Sequence, residues 1–195
     1  MTEKDSWAKD ILVITAVHFL THWMLLAMSG CWWDDWCMVG QEAKTFIDFS
    51  IAAGRPSLIP VLLVYMYFPQ GSFRIVSFIV YYLTTILYYI ILKRGFKLSS
   101  EVCFYVCLLF VALPLNDARL TEMNIAYEIG LFLFALSYYF LVLFFDHKQN
   151  IFIRLVVLLG FFLSFSLNSN LVFYSLALGF IVYKNKHLKT LHRYI

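Results

Sequence analysis

Apolar residues run along this chain in long unbroken stretches, not in the alternation of a half-buried strand or the narrow stripe of a surface helix. The longest are Ile11–Ser29, Phe73–Leu92, Ile125–Phe145 and Ile151–Leu167, each near the roughly 20 residues a helix needs to cross a bilayer. Val102–Leu115 and Leu171–Tyr183 are shorter, the length of buried or tilted segments. Ser57–Phe68 is only 12 residues, bracketed by Pro56 and Pro69 with Pro60 inside, which predicts an interfacial or re-entrant helix. Over Val39–Ala53 the pattern changes. Ala43, Phe46, Ile47 and Ile51 fall on one helical face, and Gln41, Lys44, Thr45 and Asp48 on the other, as in an amphipathic helix lying on a membrane surface. The expectation is an all-α membrane protein with about six transmembrane helices, an amphipathic surface helix and a short interfacial or re-entrant helix. Residues 1–195 form a single membrane-embedded module, with a first outer loop at 30–56, the short helix at 57–68 and a basic cytosolic tail at 184–195.

Composition narrows the solvent. The chain is 62% hydrophobic and 14% charged, against about 25% charged residues in an ordinary soluble domain. With 20 Phe and 13 Tyr, too little polar surface remains to cover a water-soluble globule. Nucleic-acid binding, intrinsic disorder and a disulfide-stapled secreted scaffold are poor readings.

Charge then orients the spans. Six spans with both termini cytoplasmic place 11 of the 15 Lys and Arg on one side, as the positive-inside rule requires. Seven spans score the same, and the shortness of Ser57–Phe68 favours six. Ile11–Gly30 before Cys31 faintly resembles a lipoprotein signal, but Met1–Asp10 carries three acids against two lysines, so an uncleaved first span is expected.

Candidate chemistry gathers on the outer side. Asp34 and Asp35 stand together in Cys31-Trp32-Trp33-Asp34-Asp35-Trp36-Cys37. They are either solvated acids in an interfacial tryptophan belt or a carboxylate pair whose mutual repulsion and partial desolvation suit a general base or metal ligand. Arg55 precedes the short helix, where a forked cation beside free backbone N–H groups would seat a phosphate or a lipid headgroup. In the second outer loop, Asn116 or Asp117 caps the next helix with support from Glu122, or the acids serve a site. Asn168, in Asn168-Ser169-Asn170, either breaks a helix or hydrogen-bonds a sugar. Glu128 faces solvent or the bundle interior. His18 and His22 form an inward polar stripe with Thr15 and Ser29, better read as hydrogen-bonding histidines than as metal ligands. Cys103 and Cys107 are small apolar packers, and Cys31 and Cys37 are free to pair or not.

An outer Asp-Asp after one span, a surface helix and then Gly54-Arg55-Pro56 resembles the polytopic glycosyltransferases of the GT-C superfamily. The likeness is greatest to bacterial type-specific O-antigen glucosyltransferases. The segments after Pro114 and around Asn168-Ser169-Asn170 also look like loops of that family. The resemblance implies a sugar donor on a polyprenyl phosphate and a glycan acceptor at the outer face of the bacterial inner membrane. Asp34 or Asp35 would deprotonate the acceptor, Arg55 would hold the donor phosphate, and Asp117 would position acceptor, donor or a metal. Direct displacement needs a base on one side of the anomeric carbon and charge stabilisation of the leaving phosphate on the other, with inversion expected. Members are usually longer, so this chain corresponds to an N-terminal portion or a truncated relative, with a possible partner subunit completing the enzyme. The alternatives are a non-catalytic membrane subunit, a lipid-linked sugar transport partner or an inactive relative.

Overall fold

A computed structural model describes residues 3–27, 40–67, 72–113, 125–146, 151–167 and 171–191. The described residues form helices without strands: α1 (Glu3–Ala27), α2 (Ala43–Ala52), α3 (Leu58–Tyr67), α4 (Ser72–Ile90), α5 (Ser100–Ala112), α6 (Ile125–Asp146), α7 (Ile151–Leu167) and α8 (Leu171–Leu191). A π-helical turn, Ile91–Gly95, closes α4.

Among the described residues, three helices are long and apolar enough to cross a membrane: Trp7–Ala27, Phe73–Gly95 and Ile125–Phe145. At about 1.5 Å per residue, a 21-residue helix measures about 32 Å and matches a hydrocarbon core of about 30 Å. Ser100–Ala112 and Ile151–Leu167 are shorter apolar helices. The 10 residues of α3 reach only about 15 Å, as its flanking prolines foretold.

α4 is the centre. It packs against α1 and α5 on one side and against α6 on the other, while α6 and α7 form the most intimate pair. Two apolar clusters fill these halves. Ile14, Tyr89, Cys103, Cys107 and Val111 join α1, α4 and α5. Phe134, Tyr138, Val142, Val157, Ala177 and Phe180 join α6, α7 and α8, with Ile91 of the π turn reaching in. The two cysteines expected to pack as small apolar groups do so.

The outside is inverted relative to a soluble protein. Leu12, Leu20, Leu158, Phe162, Leu178 and Val182 are exposed, whereas His18, Arg74, Ser77, Thr84, Thr85, Glu128, Ser137 and Ser164 are buried. Several buried hydroxyls are satisfied within the bundle. Thr84 and Thr85 donate to the carbonyls of Val80 and Tyr81 one turn back, and Ser164 crosses from α7 to the Gly130 carbonyl of α6 at 2.7 Å. Where backbone polar groups are closed inside helices and apolar side chains face out, the surroundings are hydrocarbon.

Two helix ends and one helix face differ from expectation. α1 begins at Glu3, ahead of the apolar run. α8 continues through Leu191, so the segment read as a basic tail is helical to that point; Lys and Leu are good helix formers, and no Gly or Pro interrupts them. On α2, Phe46 and Ser50 are buried while Ile51 is 59% exposed. The face turned inward is thus centred on the 46–50 pair, and Ile51 lies outside it.

Candidate functional site

The corner between α2 and α3 is built by its own sequence. Gly54 adopts φ +68°, a left-handed conformation that glycine accepts without strain. The Gly54 N–H then reaches the Ile51 carbonyl at 3.0 Å, and the Arg55 N–H reaches the Ser50 carbonyl at 2.8 Å. This is the Schellman arrangement, which satisfies the last carbonyls of α2, and Pro56 prevents the helix from continuing. Gly-Arg-Pro is therefore a helix stop in its own right. The stop fixes where the arginine emerges, immediately before the first turn of α3.

Arg55 is half-buried, and its Nη1 donates to the Tyr127 hydroxyl of α6 at 3.3 Å. Ser57 anchors the corner to the end of α7 by donating to the Ser166 carbonyl at 2.6 Å. Ser50, fully buried beside the corner, has a hydroxyl with no hydrogen-bond partner among the described residues.

One residue beyond Tyr127, Glu128 turns into the bundle, where the Ser77 hydroxyl of α4 donates to its carboxylate. The interior, not solvent, receives this acid. One turn before Ser77, Arg74 is fully buried, with its guanidinium carbon 4.9 Å from the Phe73 ring centroid. Phe73 and Ile125, with Val61 and Ile129 against them, bring α3, α4 and α6 together at this end. Among the described residues, Arg55, Arg74 and Glu128 share this end of the bundle.

The polar line continues down α4. Tyr81 donates to the Phe110 carbonyl, and its ring lies 5.2 Å from that of His22, which stacks on His18 at 4.7 Å. His18 Nε2 lies 3.1 Å from the Phe78 carbonyl, and His22 Nδ1 lies 2.7 Å from the Thr21 hydroxyl and 3.1 Å from the His18 carbonyl. The histidines are hydrogen-bonded packing groups, as the stripe predicted. No group of three or more His, Cys, Asp or Glu among the described residues is arranged to hold a metal ion.

Of the sequence candidates, Arg55 lies at the corner. Asp34, Asp35, Asp117, Glu122 and Asn168 lie outside the described residues, as do Cys31 and Cys37. Sequence reasoning missed Arg74, Ser77 and Tyr127. The signal for the first two was available: Arg74, Ser77, Tyr81, Thr84, Thr85 and Tyr88 recur at helical spacing down one face of α4.

The fold and its inverted surface define an all-α membrane protein. No protein-family model, no curated protein and no solved structure matches the chain.

Proposed function

We propose that the chain transfers a sugar, glucose in the first instance, from a polyprenyl-phosphate donor to a cell-surface glycan such as O-antigen. The reaction takes place on the outer side of a bacterial inner membrane, with both termini cytoplasmic. Asp34 or Asp35 takes the proton from the acceptor hydroxyl while Arg55 holds the departing phosphate. Asp117, Glu122 and Asn168 bind the sugars.

The observation that carries this reading is the α2–α3 corner. A Gly-Arg-Pro stop sets a half-buried guanidinium beside Tyr127, next to the first turn of α3. A phosphate there would meet a forked cation and a phenol hydroxyl together. The surrounding apolar helices suit a donor that never leaves the membrane.

The test is equilibrium binding of labelled polyprenyl-phosphoglucose to the chain in lipid nanodiscs. A charge-assisted hydrogen bond contributes about 1.5–3 kcal/mol, so Arg55→Ala should weaken binding by roughly 10- to 150-fold. Tyr127→Phe, which leaves the cation but frees its rotamer, should cost only about 2- to 5-fold. Equal binding by wild type and Arg55→Ala would remove the corner as a phosphate seat and favour a non-catalytic membrane subunit.

A further inference from the structure

Toward the opposite end of α4 lies a cleft of about 390 Å³, bounded by α4 and its π turn, α5, α6 and α8. Tyr88, Leu92 and Phe96 line one side, Val106 and Phe110 come from α5, and Leu131 from α6. α5 and α6 each pack on α4 but not closely on one another, which leaves the gap between them. Val106 and Phe96 are also exposed on the outer surface, so the cleft opens sideways toward lipid.

Two features of the chain create this space. The π turn inserts an extra residue and swings Ile91 and Leu92 to the cleft side. Gly95 lets that turn close on its neighbours, since a Cβ there would come within 2.9 Å of Val142 Cγ2.

The lining offers water almost nothing. The Tyr138 hydroxyl is turned to the Leu176 carbonyl at 3.4 Å, and the Cys107 thiol faces the Thr85 carbonyl at 3.8 Å. An apolar cavity of about 150 Å³ stays dry and accepts benzene. Scaled by volume, this cleft would take about fifteen carbon atoms, a single hydrocarbon chain.

Charge says which lipid. Lys93, Arg94 and Lys97 interleave with the last cleft residues, Leu92 and Phe96. Lys93 donates to the Ser100 hydroxyl, Arg94 lies 6.0 Å from the Trp7 ring, and Lys97 is exposed at φ 55°. Among the described residues, the acids set against these three cations are Glu101, exposed in the first turn of α5, and Asp10, which accepts from Tyr89. We propose that the cleft seats one acyl chain of an anionic phospholipid whose phosphate rests on the Lys93–Lys97 segment. A polyprenyl donor held at Arg55 would not supply this occupant. Its phosphate lies at the Arg74 end, and the 19 residues from Arg74 to Lys93 span about 28 Å of helix.

Native mass spectrometry of the detergent-purified chain tests this, with phosphatidylglycerol, phosphatidylcholine and polyprenyl phosphate offered separately. The expected result is one retained phosphatidylglycerol, bound more than tenfold tighter than phosphatidylcholine, since each basic residue near a lipid surface contributes about 1 kcal/mol. Filling the cleft by Leu131→Trp or, separately, Val106→Trp should abolish the adduct. Lys93→Gln, Arg94→Gln and Lys97→Gln combined should erase the preference between the two phospholipids. No wild-type adduct, equal retention of both phospholipids, or tighter retention of polyprenyl phosphate would overturn the proposal. The wild-type comparison decides even if a variant fails to fold. Failure here leaves the Arg55 reading untouched, because that reading is probed at the other end of α4.

Discussion

At Gly160 α7 lies close against Ser137 of α6, and replacing the glycine sets two effects against each other. An alanine in place of a helical glycine should stabilise the helix by up to about 1 kcal/mol. At Gly160 the added Cβ would collide with the Ser137 hydroxyl and stand 3.3 Å from Ser137 Cβ. Ser137 is buried, and its hydroxyl donates to the Leu133 carbonyl at 2.7 Å, so turning it aside sacrifices that bond. Overpacking costs about 1–3 kcal/mol and the lost hydrogen bond about 1 kcal/mol. The clash outweighs the propensity, and Gly160→Ala should destabilise the protein by about 1–3 kcal/mol. Steric-trap unfolding in bicelles would measure this directly. The same substitution combined with Ser137→Gly should restore much of the loss, because residues in contact couple non-additively. A Gly160→Ala protein as stable as wild type, or more so, would refute the close approach of the two helices.

Other outcomes follow from the same geometry. Ser77→Ala strips a donor from the buried Glu128 carboxylate and should lower stability by about 1–2 kcal/mol in a thermal unfolding assay; no change would mean the carboxylate is satisfied without Ser77. Cys103 and Cys107, at 0% and 1% exposure, should resist a membrane-impermeant maleimide in the folded protein. Cys31 and Cys37 should react with the same reagent added from outside intact cells, after reduction; labelling only in opened cells would reverse the proposed orientation.

How much the sequence could reveal depended on whether the signal was local. The apolar runs marked the helices well because a lipid-facing helix must be apolar over its whole length. Ser57–Phe68 announced its own shortness through three prolines. The inward turn of His18 and His22 was legible because lipid would not solvate them. Arg74 was not, since an arginine five residues beyond Pro69 reads as an interfacial charge; only its recurrence with Ser77 and Tyr81 betrays the buried face. Glu128 could not be placed either, because its fate depends on a serine 51 positions away. The π turn has no pattern of its own in Ile91–Gly95, and so the cleft it opens was invisible. Gly54-Arg55-Pro56, noticed for its resemblance, proves to have a plain local cause as a helix stop.

The most direct test of the central claim is sugar transfer by the purified, lipid-reconstituted chain, using labelled polyprenyl-phosphoglucose and a lipopolysaccharide acceptor. The control carries Asp34→Asn with Asp35→Asn and is confirmed folded by its thermal transition. The account predicts transfer by the wild type and loss of at least about 100-fold in the control, the size of a missing general base. Transfer that survives in the control would contradict the assignment of the base to that pair. The absence of both transfer and donor binding in the wild type would contradict the glycosyltransferase reading itself.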